Sequence, residues 1–416
     1  MFKPLSLFIG LRYTRAKRRT GFISFISLVS VIGIALSIMV LITVLSVMNG
    51  FDQQIRNKIA SSVAHITITN DSDNFKDWQE LKKKLATNKN ILAMAPYIEK
   101  QGLLSANNTV NPAFIIGILP NQQKYIDNIQ TKIVAGSFAK LNTEKFSLAL
   151  SENMALHLGL GIGDKVNLIT PQTDITPLGV NVRMRAFTVV AIFKADASFA
   201  LENNSVFVLL SSLQKLFIMP GQVSGLRLKI ANLLQAPIIS EQIQKKLGYQ
   251  YQVSDWTNTY GGFYHAVQME KTAMFFVLIL LVAIAVFNLV SSLVMLVNDK
   301  KADIAILRTF GATPQMICNV FIIQGLIIGL LGIIFGASIG ILLALTATKI
   351  VNFIQVAFNV VLITPGAYWV DYLPSQLQWL DVIKVVSAAF ILSLLATVYP
   401  ALRAARLSII EALRYE

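Results

Sequence analysis

A single cysteine, Cys318, and three histidines far apart in the chain (His65, His157 and His265) cannot make an intrachain disulfide or a Cys/His metal cluster. Charge is scarce too: 14% of the residues are Asp, Glu, Lys or Arg, against roughly 25% in an average soluble domain. Acid is the scarcer sign, with 22 Asp and Glu against 36 Lys and Arg and a net charge of +14. On a soluble chain that excess would suggest nucleic acid. Here it accompanies 54% hydrophobic residues, which points instead to Lys and Arg gathered on the cytoplasmic side of a membrane. No nucleic-acid partner is expected. No repeat or low-complexity tract occurs, nor any G-x-x-x-x-G-K-[ST], so ATP binding by a Walker motif is excluded.

Four stretches carry no charge: Thr20–Phe51, Thr272–Asn298, Thr309–Thr348 and Val385–Leu402, of 32, 27, 40 and 18 residues. A spanning helix needs about 20 mostly apolar residues, so all four qualify, the last only just. The first is too long for the apolar core of a signal peptide and reads as a retained anchor. The expected segments are a basic N-terminus (1–20), a first span (21–50), an inserted domain (51–271) and a second span (272–298). A cytoplasmic helix and turn (299–313), a third span (314–348), an outer loop (349–382), a fourth span (383–402) and a tail (403–416) complete the chain.

Flanking charge orients the spans. Lys3, Arg12, Arg15, Lys17, Arg18 and Arg19 precede the first span with no acid among them; Lys300, Lys301 and Arg308 follow the second; Arg403, Arg406 and Arg414 follow the fourth. Placing all three groups in the cytoplasm leaves the inserted domain and the 349–382 loop outside. Residues 52–271 carry 22 basic and 16 acidic residues, ordinary for a water-exposed domain. Val63–Thr69, Ala113–Leu119, Lys165–Thr170, Arg185–Phe193, Ser205–Leu210 and Ser224–Ile230 are β-rich runs bounded by turn residues. Phe75, Trp78, Leu81 and Leu85 recur at helical spacing, and Ser151 caps a short helix ending at Gly159. The fold class expected is a membrane protein of four transmembrane α-helices, with a large α+β domain inserted between the first two.

No catalytic, cofactor-binding or metal-binding residue is expected. The run Gly159–Asp164 precedes a strand and lacks a phosphate loop's Lys and Ser, so it reads as a turn. The spans hold no interior Asp, Glu, Lys, Arg or His of the kind ion-coupled carriers use. Asn288 and Gln324 are suited to bond between helices. Gly325, Gly329, Gly332, Gly336 and Gly340 permit close helix contact, within the chain or with a partner.

Three stretches are suited to contact. In 299–313, Ile304, Leu307 and Phe310 make an apolar stripe on a short helix beside Arg308; Gly311 ends it, and Thr313-Pro314 starts the next span. That geometry suits a lever, and equally a plain connector. Val40, Val44, Val47, Met48 and Phe51 follow helical spacing along the outer half of the first span, as bilayer contact alone would also require. Between the expected strands Lys165–Thr170 and Arg185–Phe193, the connection includes Pro171, Asp174, Ile175, Pro177, Leu178 and Gly179. It exceeds the about two to five residues that turning a hairpin needs. A tolerated insertion is the plain alternative to a partner-covered tip.

The run Ala302–Thr313 (ADIAILRTFGAT) resembles the signature loop of FtsX/MacB-type ABC permeases, and Tyr399–Arg406 with Glu411–Glu416 resembles the C-terminus of that superfamily. Leu7–Tyr13, Thr43–Phe51 and Met269–Lys271 are similar to the LolC/LolE lipoprotein-releasing permeases, so the likeness covers essentially the whole chain. It implies a type VII ABC transporter half. Two such permeases, this chain with a second LolC/LolE-type subunit or with a copy of itself, pair with a LolD-like ATPase dimer that holds ATP and Mg²⁺. The assembly extracts a triacylated lipoprotein from the bacterial inner membrane and passes it to a LolA-like periplasmic chaperone.

The resemblance also implies residue roles. Ile304, Leu307, Arg308, Phe310 and Gly311 would meet the ATPase. Pro171–Gly179 would form a hook for the chaperone, with Arg185 on its rim, although Asn167 stands where LolC has arginine. Val40, Val44, Val47, Met48 and Phe51, with Met269, would line a cavity for acyl chains. The alternatives are an FtsX-like mechanotransmitter acting on cell-wall hydrolases, a MacB-like efflux component and, from another class, a receptor-like membrane sensor.

Overall fold

The computed structural model describes residues 21–70, 75–176, 179–195, 203–360 and 372–406, with backbone alone at 21–26, 171–176 and 179–182. Contacts divide the chain into two units. One holds Met1–Asp52, Val267–Leu362 and Tyr372–Glu416; the other is chiefly Gln53–Ala266.

Among the described residues four helices are long and apolar enough to cross a membrane: Gly21–Ser62, Trp256–Asp299, Pro314–Phe358 and Trp379–Ala405. They exceed the expected spans 21–50, 272–298, 314–348 and 383–402. A gap in charge measures a bilayer, whereas intrahelical hydrogen bonding continues through Arg56 and Lys58, through Glu270 and Lys271, and through Lys349. At roughly 1.5 Å per residue the 42-residue first helix is about 60 Å long, twice the hydrocarbon thickness. The inserted unit accordingly begins and ends inside the limits 51–271, and the loop expected over 349–382 is shortened by the third helix reaching Phe358.

The helices of the membrane unit close on a shared apolar core that includes Ile34, Ile38, Leu41 and Leu45 of the first, Val282, Leu289 and Leu293 of the second, Ile328 and Ile333 of the third, and Val385 and Ala389 of the fourth. The glycine row of the third helix does its work within the chain. A Cβ on Gly325 or Gly329 would strike Thr397 or Ser393 of the fourth helix, and Gly332, Gly336 and Gly340 lie against Ile34, Ala35 and Met39 of the first.

The inserted unit is a ten-stranded sheet: β1 (Ile66–Asn70), β2 (Ile91–Ala106), β3 (Thr109–Ile118), β4 (Ile133–Gly136), β5 (Ser147–Ser151), β6 (Lys165–Thr176), β7 (Gly179–Phe193), β8 (Ser205–Leu209), β9 (Gly225–Ile230) and β10 (Tyr251–Asp255). Six strands pair in a closed ring, β2-β3-β8-β5-β7-β6 and back to β2. Ile116, Phe138, Ala149, Val190, Phe193 and Phe207 pack together on this ring. β2 also pairs β9 through Ile91–Tyr97, which extends the sheet by β9, β1 and β10. Gly102 lies where the ring closes: a Cβ there would sit 2.7 Å from the Ile169 carbonyl oxygen.

Several local expectations hold. The Ser151 side chain accepts from the Met154 N–H at 3.3 Å, and Gly159 ends that helix at φ +62°. The glycine run is a turn in which Gly161 N–H donates to Asp164 Oδ2 at 2.7 Å. The helix expected from Phe75 onward starts at Trp78, with Leu81 and Leu85 buried; Phe75 instead bridges Val223.

Candidate functional site

The short helix after the second span runs from Lys301 to Thr309. The Gly311 N–H closes on the Arg308 carbonyl with φ +92°, and Thr313 caps the third span by accepting from Met316 N–H at 3.2 Å. The expected stripe divides between two faces. Ile304 is buried among Leu296, Val297, Ile317, Phe321, Ala401 and Ala404, and Leu307 packs against the same cluster. Ile304 is therefore closed to a partner, whereas Leu307 is half-buried. Phe310 is 85% exposed and Ile306 49% exposed. The cause is angular: at about 100° per residue, Phe310 is about 120° round the helix from Ile304 but only about 40° from Ile306. Ile306, which the stripe omitted, completes the outward apolar face, and that angle was its signal.

On the first span Val40 and Val44 pack partly against the apolar core, and Val47, Met48 and Phe51 are half-buried. Met269 on the second span is exposed. Nearby polar groups pair between helices, which the sequence pattern did not reveal. Asn49, fully buried, donates from Nδ2 to Asp381 Oδ2 at 2.7 Å, and Gln268 donates to Asp52 Oδ1 at 2.6 Å. Of the residues suited to interhelical bonding, Asn288 is exposed, whereas Gln324 is buried with an Oε1 that has no partner among the described residues.

The connection after residue 170 is not the long loop expected. β6 and β7 stay paired through Thr173↔Val182, Asp174↔Asn181, Ile175↔Val180 and Thr176↔Gly179. The strands therefore do not end at Thr170 or begin at Arg185. They form one long ribbon, because the β-branched Thr173, Ile175, Val180 and Val182 favour extended pairing. Pro171 falls in the register shift between Ile169 and Thr173, where a residue without an N–H is tolerated. Pro177 and Leu178 lie outside the described residues, as do the side chains of Pro171, Asp174 and Ile175. Arg185 is exposed at the base of the ribbon, its guanidinium 3.8 Å from the centre of the Phe146 ring.

His157 and His265 are exposed, but His65 is buried. Its Nδ1 accepts from Ile230 N–H at 3.2 Å, so Nε2 carries the proton and donates to the Ala60 carbonyl at 3.0 Å. Burial is the main cause holding this imidazole below its ordinary pKa. Among the described residues no group of His, Cys, Asp and Glu could hold a metal ion.

Comparison with known proteins places two families on the chain: a MacB-like periplasmic core domain over residues 27–246 and an FtsX-like permease C-terminal domain over 275–409. The chain is 41% identical to the lipoprotein-releasing system transmembrane protein LolC of Xylella fastidiosa (strain 9a5c), over 100% of both chains. It is 39% identical to LolC of Neisseria meningitidis serogroup B over 99% of both, and 31% identical to LolE of Haemophilus influenzae over 96% of this chain and 97% of that one. Among solved structures, the periplasmic region of MacB from Actinobacillus actinomycetemcomitans aligns at 13% identity with a TM-score of 0.34, covering 51% of this chain and 97% of that one.

Proposed function

The chain belongs to the LolC/LolE family of lipoprotein-releasing permeases, within the FtsX/MacB-like superfamily, and from that premise we propose how its parts divide the work. It is a permease subunit of a lipoprotein-releasing system, a multi-pass protein of the inner membrane. The observation that carries this reading is full-length identity of 41% to a LolC protein.

In the proposed cycle a LolD-like ATPase dimer binds ATP and Mg²⁺ in the cytoplasm and pushes on the Lys301–Thr309 helix through Ile306 and Phe310. Ile304 is packed against the second, third and fourth spans, so the push reaches three helices at once. The half-buried row Val40, Val44, Val47, Met48 and Phe51 takes the acyl chains of a triacylated lipoprotein, and a flexible Met suits chains of varied length. A second permease of the family, a different chain or another copy, completes the cavity. In this reading the inserted domain faces the periplasm, which the basic flanks of the spans support. Its β6–β7 ribbon receives the LolA-like chaperone, which carries the lipoprotein toward the outer membrane.

A photo-crosslinking residue at Val47 or Met48 tests the lipid path. Capture of lipoprotein, released on ATP hydrolysis, is the expected result. Capture of bulk phospholipid alone would reject the assignment.

A further inference from the structure

A pocket of about 290 Å³ lies within the membrane unit among the first, second and fourth spans. Its lining divides by chemistry. Leu45 and Phe275 supply an apolar side, and Lys271 and Lys384 supply two ammonium groups. Asp381 is the one carboxylate among the described lining residues, and both its oxygens are engaged: Oδ2 accepts from Asn49 and Oδ1 lies 3.6 Å from Lys384 Nζ. The other polar groups are also committed, Gln268 to Asp52 at 2.6 Å and the Thr272 hydroxyl to the Gln268 carbonyl at 2.9 Å. Among the described residues no carboxylate pairs with Lys271. The described lining residues carry a net positive charge directly beside apolar side chains.

A free anion has no use for Leu45 and Phe275, and a bare hydrocarbon chain has none for two lysines. One ligand class uses both. We infer that this pocket holds an anionic phospholipid, its phosphodiester between Lys271 and Lys384 and the first carbons of its chains against Leu45 and Phe275. Lysine stems reach the interface while lying along apolar surface, which leaves each ammonium free to meet a headgroup. The bound phosphate bridges the second and fourth spans, since each contributes one lysine. The inference does not rest on the proposed cargo: the lipid of a triacylated lipoprotein carries no phosphate, so the lysines would not select it.

The test uses the full chain with its partner subunits, purified in lipid-depleted micelles and titrated with phosphatidylglycerol while bound lipid is counted by native mass spectrometry. The wild-type complex should retain a tightly held phosphatidylglycerol, and diacylglycerol with the same chains should not replace it. The pair Lys271→Gln with Lys384→Gln should weaken retention at least tenfold. Lys271→Arg with Lys384→Arg should keep it, which separates loss of charge from loss of fold. Equal retention by the glutamine pair would overturn the proposal, as would complete displacement by inorganic phosphate at matched concentration. A tenfold loss of triacylated lipopeptide binding in the glutamine pair would overturn it differently, by assigning the pocket to the cargo path.

Discussion

Gly336 of the third span meets Ala35 of the first so closely that a Cβ on Gly336 would lie 2.6 Å from the Ala35 carbonyl oxygen. Small residues therefore set how near these spans approach, and close backbone packing is one of the forces that hold helices together in lipid. Nothing lies within 4 Å of a Cβ placed on Gly33, two residues before Ala35 and so on the other side of the first helix. Gly336→Ala should force the spans apart at a cost of about 1–3 kcal/mol. Gly33→Ala should be neutral or stabilise by up to about 1 kcal/mol through helix propensity. Reversible unfolding in mixed micelles measures both, and equal effects would show that backbone approach is not what the third-span glycine serves.

The division of the Lys301–Thr309 helix predicts two different failures. Phe310→Asp and Ile306→Asp leave the core untouched and should release the ATPase from a folded permease. Ile304→Asp puts a charge among Val297, Phe321 and Ala401 and should lower the yield of folded protein, at a cost above about 4 kcal/mol. Co-purification of the ATPase and resistance to limited proteolysis separate the two. Normal ATPase retention by Phe310→Asp would show that the contact lies elsewhere.

Spans were legible because a bilayer imposes a length without charge, and helix caps were legible because Ser151 and Thr313 do their work locally. β2 escaped notice for a physical reason. Its 16 residues include Pro96, Glu99 and Lys100, which break any alternation, because its first half serves one side of the sheet and its second half the ring. The Asn49–Asp381 bond escaped for another: its partners are 332 residues apart, and neither stands in a local pattern. The hairpin is longer than its pattern suggests because Pro171 reads as the end of a strand, when it sits at a bulge within one.

Because β6 and β7 pair up to Thr176↔Gly179, the ribbon can be shortened without disturbing the ring. Deleting Thr173–Thr176 together with Gly179–Val182 removes four pairs, an even number, so the remaining side chains keep their faces. The shortened chain should fold, bind its ATPase and hold lipoprotein, yet lose the chaperone at least tenfold. A pull-down in which it retains the chaperone at wild-type affinity would place recruitment outside the ribbon.

His65 predicts the pH response of the inserted domain. The neutral ring fills both its hydrogen bonds, to Ala60 and Ile230, and burial, with Lys229 acting in the same direction, disfavours a charge on it. Its folded pKa thus lies below the ordinary 6.5, so as pH falls the unfolded chain takes up the proton first. The contribution is fully present above 6.5 and is lost as the pH drops through the folded value. Protonation also sets an N–H at Nδ1 against the N–H of Ile230, which removes that bond. Trp256 reports the event: it is buried, and its backbone N–H donates to the His65 carbonyl at 3.1 Å. Denaturant midpoints followed by tryptophan fluorescence should fall for the wild type on acidification. His65→Asn keeps an acceptor for Ile230 but does not titrate, so its midpoint should be flatter with pH. His65→Ala leaves the Ile230 N–H without a partner and should cost about 1–3 kcal/mol at every pH. A fall in the Asn variant as steep as in the wild type would assign the pH response to another group.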